Sequence, residues 1–153
     1  MPKSHDNITR NFGHLFPAHV DALCELLIVL RQQFFGDLDL MLILAIISSR
    51  ALPARQSSTM SYKQFISDSD KQRADQPINI QSVAECSGIA RETVRRKVRK
   101  LEDLGFIERG ANGMLKVTKK ALSKLTPATE ASFQYLVTLS SSNAAAQRQE
   151  KPD

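Results

Sequence analysis

From Ala84 to Leu101 the small and apolar residues fall at intervals that leave a chain few ways to fold. Ala84 is followed by Gly88 and Ile89, then by Val94, Val98 and Leu101. Steps of three and four belong to helices, and a glycine after such a run ends one. The spacing predicts two helices around a tight turn over 81–104. A small side chain at Ala84 lets the second helix cross close to the first. Gly88 can take the positive φ that closes the first helix. Ile89 plugs the space between them, and Val94, Val98 and Leu101 form the buried stripe of the second.

That second helix also concentrates charge. Six of the ten residues from Arg91 to Lys100 are basic and one, Glu92, is acidic. The resulting local +5 equals the net charge of the whole 153-residue chain. At about 100° per residue, Glu92, Arg95, Arg96 and Arg99 lie opposite the buried stripe, flanked by Arg91 and Lys100. A charge run alone is often only a solvated face. The sequence pI near 9.4 favours an anionic partner, but charge alone admits nucleic acid, a membrane surface or an acidic protein.

After the helix comes a hairpin pattern. "FIER" (106–109) and "MLKVT" (114–118) read as paired strands, with "GANG" (110–113) as the turn. Asn112-Gly113 is a dipeptide that tolerates the positive φ of hairpin turns. Ile107, Leu115 and Val117 can pack back on the helices, leaving Arg109, Asn112 and Lys116 at the tip and edge.

On the run "A…GI…TVRRKVRKLEDLGFIER", residues 78–118 resemble the winged helix-turn-helix of bacterial transcription regulators. With a helix before it and helices toward both ends of the chain, the layout is similar to the MarR-type dimeric repressors. The polar loop at 53–77 departs from that type. The resemblance implies a mainly α fold with a small β-hairpin wing, in which dimerisation helices flank the winged helix-turn-helix. It also implies that the helix from Arg91 enters the major groove and that the 110–113 turn reaches the DNA backbone or the minor groove.

The physics of DNA recognition points the same way. A major groove admits one helix, and residues near its N-terminus reach base edges. Arg91, Glu92, Arg95 and Arg96 are so placed. Arg suits guanine O6 and N7, and Glu can accept from cytosine N4. Thr93, Arg99 and Lys100 suit phosphates, joined by Arg109 and Lys116 from the wing, and Asn112 at its tip completes the DNA-binding set. The sequence leaves open which arginine reads a base and which holds a phosphate. Two alternatives also stand: a winged-helix module that binds protein, and a non-specific DNA-binding protein. The first predicts an apolar or acidic exposed face on the second helix, where this chain is basic.

The rest of the chain reads as scaffold. Residues 1–16 are polar and expected to be flexible. A helix is expected from Pro17 to Phe35, stopping at Gly36, and a second from Asp37, its N-cap, to Leu52 before Pro53. The first carries a heptad seam of Val20, Leu23, Leu27, Leu30 and Phe34, with extra apolar surface from Leu26, Ile28 and Val29. The second holds the longest apolar run, Leu40–Ile47, and is expected to be central to the core. Residues 53–77 read as a polar loop with a short helix near Tyr62, Phe65 and Ile66, followed by an extended segment at 77–80. A short helix follows at 119–125, and then a last one capped by Thr126, with Pro127 at its first position. Phe133, Leu136 and Val137 give that helix an apolar stripe. Residues 17–52 and 119–139 thus supply a candidate homodimer interface, and 140–153 a disordered tail.

Other chemistry finds little support. There is no P-loop, paired-His metal motif or nucleophile elbow, so no enzyme, cofactor or metal is expected. Asp68 and Asp70 lack the glycine and terminal Glu of a calcium loop. His5, His14 and His19 are expected to be solvated. Cys24 and Cys86, 62 residues apart, imply no disulfide framework and are expected to be small buried hydrophobes. No apolar signal core opens the chain, and the expected location is the cytoplasm. The expected partners are double-stranded DNA and a second copy, with a small-molecule effector left unidentified and no membrane.

Overall fold

The structure is a computed structural model that describes residues 2–50, 59–67 and 78–149. Among the described residues, eight helices and one antiparallel hairpin follow in order: α1 (Pro2–Arg10), α2 (Phe12–Gln33), α3 (Leu38–Ser49), α4 (Tyr62–Ser67), α5 (Ile80–Ser87), α6 (Arg91–Asp103), β1 (Ile107–Arg109), β2 (Leu115–Val117), α7 (Lys119–Lys124) and α8 (Thr126–Gln149). They fall into two compact units, Asp37–Lys124, and Met1–Gly36 together with Leu125–Asp153.

In the first unit α3 packs on α5, α6 and β2. Asp37 caps α3 from an extended backbone, its Oδ1 accepting from the Leu40 N–H at 2.9 Å. Leu40, Ile43, Leu44 and Ile47 are buried, but Leu38 and Leu42 are exposed. α3 thus enters the core by one face. Pro53, Asp68, Asp70 and Pro77 lie outside the described residues. Ser61 and Gln64 close α4 with reciprocal bonds, Ser61 N–H to Gln64 Oε1 at 2.7 Å and Gln64 N–H to Ser61 Oγ at 3.2 Å.

α5 and α6 are joined by a three-residue turn in which Gly88, at φ 71°, returns its N–H to the Ala84 carbonyl. Val83, Val94, Val98 and Leu101 are buried. The hairpin pairs Ile107 with Val117, Glu108 with Lys116 and Arg109 with Leu115. Ile78 makes an isolated bridge to Leu115, its carbonyl accepting the Leu115 N–H at 2.8 Å, while Ile80 of the segment expected to be extended at 77–80 already opens α5. In the turn only Gly113 takes a positive φ (79°), and Asn112 does not. Gly113 of the expected dipeptide thus supplies the positive φ, in the turn expected at 110–113. Asn112 holds the turn with its side chain instead, Oδ1 accepting from Met114 N–H.

The second unit is built on α2 against α8, with α1 beside α2. In the segment expected to be flexible, α1 fills 2–10 and α2 already begins at Phe12, so Pro17 lies inside a helix. Asn7 on α1 donates to Asn143 of α8 at 3.3 Å, a tertiary contact that local sequence does not announce. α2 ends in a Schellman motif, with Gly36 N–H on Arg31 O and Phe35 N–H on Gln32 O. Its left-handed position is taken by Phe35 (φ 58°), where glycine is usual.

α8 starts at Thr126, one residue before the expected position, its first carbonyl coming from Leu125. It runs to Gln149, so the disordered tail expected from 140 is corrected to helix over 140–149. Ala146 is buried there and Arg148 donates back to Ala144 O. By length and composition α2 could span a bilayer. Core helices of soluble proteins meet the same criteria, and α2 packs along α8.

Candidate nucleic-acid interface

α6 presents two unlike faces. Val94, Val98 and Leu101 are fully buried, while Arg91, Glu92, Arg96, Arg99 and Lys100 are exposed and Thr93 and Arg95 half-buried. The stripe anchors the helix and the opposite side meets solvent. Ala90, before the helix, supplies no side-chain cap. Glu92 in the first turn and Lys100 in the last suit the helix dipole.

Some of this charge is engaged locally. Arg95 Nη1 lies 3.2 Å from Glu92 Oε2, one turn back. Lys97, absent from the sequence-derived site, turns away from the basic face and bonds Asp37 Oδ2 at 2.6 Å. Asp37 therefore both caps α3 and fastens α6 to it. Burial raises its carboxyl pKa, but the Lys97 and Leu40 hydrogen bonds and the charges of Lys97 and Lys100 outweigh this and hold it below the ordinary value.

On the wing, Arg109 makes a two-point contact with Glu102, and Lys116 sits across from Glu108. An open cleft of about 280 Å³ forms where α5, α6 and the wing meet, lined by Asn79, Gln81, Arg91, Arg95, Arg109 and Gly113 among others. The structure thus brings three sequence-selected arginines together. It adds Asn79 and Gln81, which sequence reasoning missed. Asn79 is legible afterwards as the N-cap of α5, its Oδ1 accepting from Ser82 N–H at 2.8 Å.

The helix pair, the basic second helix and the hairpin beside it define a winged helix-turn-helix. Residues 73–120 match the DeoR-like helix-turn-helix domain. Such a domain is a DNA-binding regulatory domain, not a catalytic one, and its presence indicates a DNA-binding transcriptional regulator. No curated protein and no solved structure matches the chain.

The residues selected for dimerisation lie outside this unit. Val20 and Leu27 are exposed on α2, Leu23 and Leu30 half-buried and Phe34 buried. The seam is therefore split between an inner and an outer side. Phe133, Leu136 and Val137 are exposed on α8. Cys24 and Cys86 are both exposed, which corrects their assignment as buried hydrophobes. His5 and His14 are exposed, but His19 is half-buried, with Nδ1 2.8 Å from the Tyr135 hydroxyl. No group of three or more metal-ligating side chains occurs among the described residues.

Proposed function

We propose that this chain is a sequence-specific regulator of transcription that binds duplex DNA in the cytoplasm as a homodimer on a palindromic operator, in a MarR-like arrangement. The basic, exposed face of α6, held out by the buried Val94–Val98–Leu101 stripe, carries the reading. Arg91, Glu92, Arg95 and Arg96, at the start of the helix, read bases. Thr93, Arg99, Lys100, Arg109, Asn112 and Lys116 hold phosphates. Phosphate contacts set register, and α6 supplies specificity.

The dimer closes over the outer side of α2 and α8, through the exposed Val20, Leu27, Phe133, Leu136 and Val137, with Leu23 and Leu30 half-buried at its margin and Phe34 buried behind it. Support comes from exposure: Leu136 is 57% and Val137 56% exposed on a helix with no charged residue from Ala131 to Gln147. In a two-fold interface each patch meets its own copy. An uncharged apolar face is self-complementary in a way that a charged one is not. Two copies would then address half-sites about 10 bp apart.

Selection of the tightest binders from random duplexes, at fixed physiological salt, tests the reading. A palindromic winner bound far above bulk DNA is expected. Binding without preference would leave a non-specific binder, and no binding at all would leave a protein-interaction module.

A further inference from the structure

Arg109 reaches back from β1 to the last turn of α6. Its Nε donates to Glu102 Oε1 at 3.0 Å and its Nη2 to Glu102 Oε2 at 3.2 Å. This is a fork-on-fork contact, the geometry that fixes a guanidinium in plane as well as in place. The side chains are 35% and 29% exposed, and ion pairs so open to solvent stabilise little. The contact matters for geometry. An arginine has five N–H donors, and the fork consumes two of them. The remaining edge belongs to a side chain that lines the cleft beside Arg91 and Arg95. Arg95 is held in a comparable way by Glu92.

We propose that Glu102 is a positioning residue for DNA binding: its carboxylate holds Arg109 so that the free guanidinium edge meets a backbone phosphate seated in this cleft. The inference rests on the duplex-DNA reading above. A carboxylate beside a phosphate site ordinarily weakens binding by repulsion, so the sign of its removal separates the two roles.

The experiment uses the full chain and a mixed-sequence duplex, since phosphate contacts do not depend on sequence. Affinity is followed across a salt series for Glu102→Gln, Asp103→Asn, Arg109→Lys and the Glu102→Gln/Arg109→Lys pair. Glu102→Gln and Asp103→Asn each remove one negative charge from the end of α6, and Asp103 is exposed. Asp103→Asn should bind as tightly as the parent or more so. Glu102→Gln should bind roughly fivefold more weakly, with the slope against log salt reduced by about one, the loss expected for one phosphate contact. Arg109→Lys keeps the charge but not the fork. It should behave alike, and the pair should lose no more than either single change. Matched thermal melts show that each variant is folded. Tightening by Glu102→Gln, or weakening with an unchanged slope, overturns the proposal while leaving DNA binding intact. Failure of the parent chain to bind any duplex overturns the DNA reading itself, and this inference with it.

Discussion

In the 37–124 unit, Leu40, Ile43, Ile47, Val83, Val94, Val98, Leu101 and Leu115 are each under 2% exposed. In the unit made of 1–36 and 125–153, the buried side chains among the described residues are Ala22, Phe34, Ala128 and Ala146. Phe12, Phe16, Ile28, Leu136 and Val137 stay outside, Ile28 at 57%. One unit closes a core and keeps its charge outside it. The other brings two helices together and leaves large apolar side chains on their open side. Apolar burial contributes about 25 cal/mol per Å², so the second unit gains much less from its own packing. Exposed apolar surface, where it is contiguous, marks interaction sites. The contrast separates the unit that holds the DNA-binding domain, with a core of its own, from helices whose open face the proposed second copy would cover.

The strongest test of that contrast compares the same substitution on both sides of it. Leu101→Ala should cost about 2–5 kcal/mol of stability by urea unfolding, through lost burial and a cavity. Leu136→Ala, measured in dilute protein, should stay within about 0.5 kcal/mol, as exposed positions do. Equal costs would break the comparison. Leu136→Asp should instead be read by sedimentation: loss of the dimer with the 37–124 unit still folded. A Leu136→Asp protein that remained dimeric would remove α8 from the interface. Within the DNA-reading unit, Arg96→Ala should cost about 1–3 kcal/mol at the preferred site and relax its sequence preference. Lys100→Ala should weaken every sequence alike and lower the salt slope by about one. If the two variants behave identically, their separate roles fail.

The unit with the helix-turn-helix was the legible part of the chain. Ala84, Gly88, Val94, Val98 and Leu101 write their helices into local spacing, and Asp37 and Gly88 mark helix ends by their own chemistry. The exposed setting of Arg91, Arg96 and Arg99 follows from the same periodicity. Contacts that close over distance were not legible. Lys97 meets Asp37 60 positions away, and Arg109 meets Glu102 only because the Gly105 turn folds β1 back. The terminal helices were hidden for a related reason. α1 and the end of α8 have little local apolar pattern, and Asn7, Asn143 and Ala146 bring them order through tertiary contact. Cys24 and Cys86 are exposed because a residue type's average burial does not decide where a particular helix face points.

A smaller effect than that of the core cavity is expected at the joint between α3 and α6. Asn caps a helix about as well as Asp, so Asp37→Asn keeps the Leu40 hydrogen bond and removes only the charge that Lys97 meets. With Asp37 25% and Lys97 14% exposed, the loss at neutral pH should be about 1 kcal/mol or less. Asp37→Ala removes the cap as well and should cost about 1 kcal/mol more. The pH dependence identifies the charge. The folded carboxyl is held below its ordinary value, so the unfolded chain binds its proton first as pH falls. The stabilisation is complete above the unfolded value of about 3.9 and disappears as pH drops through the folded one. The parent's advantage over Asp37→Asn should therefore be flat from neutrality to about pH 5 and shrink below about pH 4. An advantage that persisted unchanged through that range would mean that the carboxyl's shape, and not its charge, ties α3 to α6.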